Sequence, residues 1–168
     1  MENKTSIVIV EDHPVMRNGL AAFFAGTGRW EVLGTASTVV QAKELLTGIC
    51  PDLILLDIQL EDGWGLDIIP WLNEQNGFAK QADFAKQAFA VYTVFDDCAH
   101  VGVAMKMGVK AYITKRRSES ELEEALLKAV EGHIYIDDTA QAKLKTVDDL
   151  SVFLTNRETE VLILVKNG

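Results

Sequence analysis

Three acids stand where short apolar runs end: Glu11 and Asp12 close "IVIVED", and Asp57 follows the run in "LILLDIQ". Carboxylates about 4 Å apart repel by about 4 kcal/mol at an effective dielectric near 20. Such a group therefore calls for a bound cation or a raised pKa. Mg²⁺ meets that need, because it takes one or two carboxylates and keeps positions for water and phosphoryl oxygens. Thr93 ends a further apolar run, "FAVYT", and Lys115 follows another, "AYIT". Singly, Lys115 reads as a solvated lysine and Thr93 as a helix cap. Together, a hydroxyl and an ammonium can both donate to one anion. The set describes a phosphoryl group carried on a carboxylate, with Asp57 as nucleophile, a metal on one side, and Thr93 and Lys115 on the other.

Positioning these groups requires a particular scaffold. Five apolar runs, Ile7 to Val10, Trp30 to Ala36, Leu53 to Leu56, Phe89 to Tyr92 and Ala111 to Thr114, alternate with helix-period segments. That order is what a parallel sheet with crossover helices demands, and ligands bind at the carboxyl edge of such sheets. Met16, Leu20, Phe23 and Phe24 form one apolar stripe; Ala42, Leu45, Leu46 and Ile49 form another. Pro14 suits a first helical turn, and Thr38 with Gln41 and Ser118 with Glu121 make capping-box patterns.

Composition narrows the function classes. The net charge is −9 over 168 residues, which disfavours this chain by itself as a nucleic-acid binder, since phosphate contacts need concentrated positive surface. Cys50 and Cys98 lack CxxC spacing or a histidine cluster, which argues against a thiolate metal site or a disulfide framework and for a reducing compartment. No stretch has the length of a membrane span, and the N-terminus lacks a cationic region before a long apolar one. The expectation is a cytoplasmic protein.

Two segments break the regular pattern. "FAKQADFAKQAF", 78–89, is a tandem hexamer whose period matches neither 3.5 nor 3.6. It reads as a duplication enlarging a loop or lengthening a helix, with Phe78 and Phe84 as its conspicuous residues. From about Gly132 the alternation stops, and the charged stretch that follows reads as a linker with a helical turn around Thr139 to Leu144. At the end, "LTNRETEVLILVKNG" starts a helix, with Thr155 and Glu158 as a capping box and Val161, Leu164 and Val165 on one face.

The set "VIVEDHP", "LILLDIQLEDGWGLDII", "YTVFDD" and "AYITKRRS" resembles the receiver domain of two-component response regulators over about residues 4–131. "LTNRETEVL" is similar to the start of the LuxR-type helix-turn-helix domain in the subfamily typified by NarL and FixJ. The resemblance implies a flavodoxin-like α/β fold with a five-stranded parallel sheet, order 2-1-3-4-5, and helices on both faces. It implies a receiver at 1–131, a linker at 132–153 and the first helix of a truncated DNA-binding domain at 154–168. It also implies that Asp57 accepts phosphate from a histidine kinase, with Asp12, Asp57 and the Gln59 backbone carbonyl ligating Mg²⁺ and Glu11 supporting them. Thr93 becomes the switch hydroxyl, Tyr112 the aromatic that turns inward with it, and Lys115 the phosphoryl contact. DNA would be read by the missing C-terminal part rather than by this chain, and a phosphorylation-dependent homodimer is allowed.

This sequence departs from the family pattern in places. Glu61 stands where the family usually has proline, which leaves the loop after Asp57 less constrained. The interval from Asp57 to Thr93 is longer than usual by about one hexamer. Gln59 and Phe95 flank the acceptor, and the bulk of Phe95 is expected to hinder hydrolytic water. Of the competing readings, a phosphorelay carrier without DNA output shares the same residues. An aspartyl-nucleophile hydrolase would want an acid where Gln59 stands. A flavin module would set its phosphate against the acids.

Overall fold

The computed structural model describes residues 4–78 and 87–143. The five apolar runs become parallel strands, β1 (Thr5–Val10), β2 (Trp30–Ala36), β3 (Leu53–Leu56), β6 (Ala88–Thr93) and β7 (Ala111–Thr114), and a sixth, β8 (Tyr135–Ile136), joins them. Their order is β2-β1-β3-β6-β7-β8. A separate two-stranded antiparallel pair, β4 (Gln59–Leu60) and β5 (Gly63–Trp64), follows β3. The chain divides into two compact units, Met1–Phe89 and Ala90–Gly168.

In the first unit β1 is the central partner. It pairs with β2 from Thr5↔Trp30 to Val10↔Ala36, and with β3 from Ile7↔Leu53 to Val10↔Leu56. Every residue of β3 is buried, as expected of a parallel strand covered on both faces. Helix α1 (Pro14–Thr27) has proline in its first turn and ends on Gly28 at φ 74°, a left-handed cap that glycine adopts without Cβ strain. Its Phe24 packs edge-to-face on Trp30, with ring centroids 5.4 Å apart. Helix α2 (Val39–Gly48) is capped by Thr38, which accepts from the Gln41 amide, but the Gln41 side chain bonds Ser37. The expected box is therefore half made. After a single 3₁₀ turn (Gly65–Asp67), helix α3 (Ile68–Phe78) packs on α2. Residues 79–86, which hold most of the tandem hexamer and Phe84, lie outside the described residues.

In the second unit β7 pairs with β6, Ala90↔Ala111 to Thr93↔Thr114, and with β8, Ala111↔Tyr135 and Tyr112↔Ile136. Helix α4 (Cys98–Lys106) is capped by Asp97, which accepts from the amides of Ala99 and His100. Helix α5 (Glu119–Val130) has the complete Ser118–Glu121 capping box. It packs on β7 and β8, and helix α6 (Asp138–Lys143) packs on β7 and α4.

Among the described residues the sheet thus has six parallel strands where the sequence suggests five. The additional strand lies in the stretch read as linker. Two residues are too short to carry a period-2 signal, and the pairing is set by Tyr135 N donating to Lys110 O and Asp137 N to Tyr112 O. The final segment, 154–168, lies outside the described residues.

Candidate functional site

The register of the first unit brings the acids together. Val10 faces Leu56 across the β1/β3 ladder, and the Asp57 amide donates to Val10 O at 2.9 Å. The next side chains along both strands are consequently neighbours. Glu11, Asp12, His13 and Asp57 each offer a ligand atom, all within 4.8 Å of one another. Glu11 is 2% exposed and Asp57 5%, while Asp12 is half-buried and His13 exposed. Oxygen donors of this kind suit a hard divalent ion, so the donor set fits Mg²⁺.

Several residues that the sequence reading does not single out hold this arrangement. Arg17, one turn into α1, donates from one guanidinium nitrogen to the carbonyls of Glu11 (2.8 Å) and Asp12 (3.0 Å). It fixes the backbone that presents both acids. His13 Nδ1 lies 2.7 Å from Asp12 Oδ1 and 3.2 Å from Glu11 Oε1. The hydrogen bond to Asp12, then the charges of Asp12 and Glu11, raise its pKa above the ordinary value. Gly65 is needed for space: a Cβ there would lie 1.9 Å from the Asp57 carbonyl oxygen. Its amide donates to Ile58 O at 2.8 Å.

The loop after Asp57 is held without the family's proline. β4 and β5 pair Gln59↔Trp64 and Leu60↔Gly63, so Gln59, whose carbonyl was assigned to the metal, belongs to this hairpin. At its tip the Asp62 carboxylate accepts from the amides of Val39 (2.7 Å) and Val40 (3.0 Å), the first residues of α2. This satisfies two orphan donors at a helix start, where negative charge is also favoured. Desolvation works against the charge, but the Val39 and Val40 bonds outweigh it and lower the Asp62 pKa. The clamp is therefore complete above the usual aspartate pKa and is lost as pH falls through the lower folded value. The Val39 and Val40 amide resonances should accordingly shift on acidification below about pH 4, and Asp62→Asn should flatten that titration. An unchanged titration in Asp62→Asn would remove the clamp from the account.

In the second unit Thr93 is fully buried, and its hydroxyl has no hydrogen-bond partner among the described residues. The Lys115 amide donates to Thr93 O at 2.8 Å, so the two residues stand side by side at the ends of β6 and β7. Tyr112 is fully buried and its hydroxyl donates to Phe95 O at 2.9 Å. The Phe95 ring stacks on His100, with centroids 4.5 Å apart and planes at 14°.

Behind these residues lies Asp137, a fully buried carboxylate. It accepts from the Thr114 amide and hydroxyl and from the Ala140 amide, and Arg117 Nε approaches to 3.8 Å. Burial opposes the Arg117 charge, but Asp137, Glu121 and Asp138 raise its pKa overall. Sequence signals existed for some of these residues. Asp137 precedes a helical turn, as an N-cap does, and "DG" at Asp62-Gly63 marks a hairpin turn. For Arg17 and Gly65 there was none short of the strand register. Cys50 and Cys98 are both exposed.

A parallel sheet whose first and third strands end in a cluster of buried and half-buried acids defines a receiver-type α/β module. Residues 7–127 match the response regulator receiver domain family. The chain is 32% identical over 171 residues to the transcriptional regulatory protein YhcZ of Bacillus subtilis, covering 96% of this chain and 75% of that one. It is 26% identical to the nitrate/nitrite response regulator NarL of Escherichia coli, over 99% of this chain and 77% of that one. A LuxR-family two-component response regulator from Aurantimonas superposes with TM-score 0.73 at 20% identity, covering 84% of this chain and 95% of that one. The chain belongs to the NarL/LuxR family of response regulators and carries their receiver domain. These relatives are regulators rather than hydrolases, and an exposed Gln59 stands where a hydrolase of the aspartyl-nucleophile type would want its second acid. Among the described residues no helix is long and apolar enough to cross a membrane.

Proposed function

We propose that Asp57 is the phosphoryl acceptor of this regulator, taking the group from a phosphohistidine of a partner kinase in the cytoplasm. The observation that carries this reading is the Asp57 carboxylate, nine-tenths buried at the end of β3 and within 4.8 Å of donor atoms on Glu11 and Asp12. In the transfer an Asp57 oxygen bonds to phosphorus as the phosphorus–nitrogen bond breaks, and the electron pair stays on the departing imidazole. Glu11, Asp12, Asp57 and the Gln59 carbonyl would hold Mg²⁺, which when bound neutralises charge on the carboxylates and on the phosphoryl oxygens. Arg17 keeps the first two acids in place, and Gly65 lets the chain pass over the Asp57 carbonyl.

Lys115 is assigned the phosphoryl contact and Thr93 the switch hydroxyl. The buried, unpartnered Thr93 hydroxyl supports this, since such a group is costly unless another state of the protein satisfies it. Tyr112, already inward with its hydroxyl on Phe95 O, is the aromatic that follows it. Output to DNA, through a helix-turn-helix domain of which 154–168 would be the start, rests on the transcriptional regulators among the relatives. The test is incubation with acetyl phosphate and Mg²⁺ followed by intact mass. One added phosphoryl on the wild type and none on Asp57→Asn is expected; equal labelling of both, or none on either, would overturn the assignment.

A further inference from the structure

We propose that Arg117 is a latch between the loop that carries Lys115 and the start of α6, and that phosphorylation closes it. The inference rests on the acceptor-site reading above and adds how the state of that site reaches the helix that begins the chain's C-terminal stretch. Three observations carry it. The first is position. Arg117 lies two residues beyond Lys115, and its amide donates to Thr114 O at 3.1 Å, so its backbone is tied to the end of β7. Its side-on pair of donors faces the turn from β8 into α6. Nε is 3.8 Å from Asp137 Oδ2, and Nη2 is 3.6 Å from Asp138 Oδ2 and 3.5 Å from Thr139 Oγ1. On the other side Nη1 is 3.3 Å from Glu121 Oε1, in the first turn of α5. One side chain thus spans the β7–α5 loop, α5 and the entry to α6.

The second observation is that none of these approaches is closed. Charge-assisted hydrogen bonds from a guanidinium to a carboxylate run about 2.7–2.9 Å, and each approach of Arg117 to these oxygens is longer. The third is that Nε is buried with no hydrogen-bond partner among the described residues. A buried N–H is costly to leave unmade, and such a group in a native protein points to another state that satisfies it. A shift of about 1 Å in the side chain brings both Nε and Nη2 within ordinary bonding distance of the two aspartates.

Asp137 is the fixed side of the latch. Its Oδ2 holds the Thr114 amide and hydroxyl, its Oδ1 holds the Ala140 amide, and its carbonyl accepts from the Gln141 amide at 2.8 Å. Pulling on Asp137 therefore pulls on the first turn of α6. When Lys115 is drawn onto a phosphoryl oxygen, the residue two positions on is carried with it, and the guanidinium closes on Asp137 and Asp138. The coupling is reciprocal, so a closed latch also favours the phosphorylated state.

Amide exchange at Ala140 and Gln141 tests this, with beryllofluoride and Mg²⁺ as a lasting stand-in for the phosphoryl group. In the wild type both amides should exchange about fivefold or more slowly once the stand-in is bound. In Arg117→Gln, which removes the guanidinium, the slowing should shrink below about twofold, and in Asp138→Asn, at an exposed position, it should be partly lost. Labelling of Asp57 by acetyl phosphate, read by intact mass, should persist in both variants. Equal slowing in wild type and variants, or none in a wild type that labels, would overturn the latch and leave the acceptor site standing. A wild type that does not label would overturn both readings.

Discussion

Asp137→Ala should lower the unfolding free energy of the protein by roughly 3–5 kcal/mol. The carboxylate is fully buried and serves four groups: the Thr114 amide, the Thr114 hydroxyl, the Ala140 amide and the Arg117 guanidinium. Alanine leaves the first three without an acceptor in a place water does not reach, at about 1–3 kcal/mol for each unsatisfied group before relaxation. Arg117 is partly exposed and keeps Glu121 and Asp138, so its loss is the smaller share. Asp137→Asn retains one acceptor oxygen and should fall between wild type and alanine. Urea denaturation gives the magnitude, and amide exchange at Thr114 and Ala140 gives the place. Protection at both sites unchanged in Asp137→Ala would mean that the carboxylate does not hold α6 to β7.

Gly65→Ala should act on both stability and function. The added methyl would sit 1.9 Å from the Asp57 carbonyl oxygen, and the nearest atom is backbone, which cannot swing aside as a flexible side chain can. The cost is that of overpacking, roughly 1–3 kcal/mol. The relief must come from moving the residue that carries the acceptor carboxylate, and a displacement near 1 Å can lower a reaction rate on the order of a hundredfold. Phosphoryl uptake from acetyl phosphate should therefore drop far more than the folded fraction does. A variant that is destabilised but labels at the wild-type rate would show that Gly65 matters to the fold alone.

These two residues also mark where sequence reasoning stops. The main strands were legible to within a residue or two, because each is an apolar run bounded by helix signals: Leu53–Leu56 and Ala111–Thr114 coincide with the runs themselves. Asp57 and Glu11 were legible as neighbours, because ends of adjacent parallel strands must be close. Asp137 was not. In a stretch such as "GHIYIDDTAQ" an acid reads as solvated, and only the two-residue strand β8 and the cap of α6 draw it under the sheet edge. Gly65 was hidden for a different reason: the need for a missing Cβ depends on a close approach between residues eight apart in sequence, and no local pattern encodes it. The departure at Glu61 misled in the same way. The absence of proline suggested a loose loop, whereas Asp62 restrains that loop through the two amides at the start of α2.

Tyr112 touches two segments with two different groups. Its hydroxyl donates to Phe95 O, ahead of α4, and its carbonyl accepts from Asp137 N, ahead of α6. A rotation about the side-chain bonds would break the first contact and leave the second intact. Tyr112→Phe should therefore remove the bond to Phe95 O and keep the main-chain bond to Asp137 N. The anchoring of the segment ahead of α4 and that of the segment ahead of α6 thus depend on different groups of one residue, a hydroxyl that a single substitution deletes and a carbonyl that every residue has.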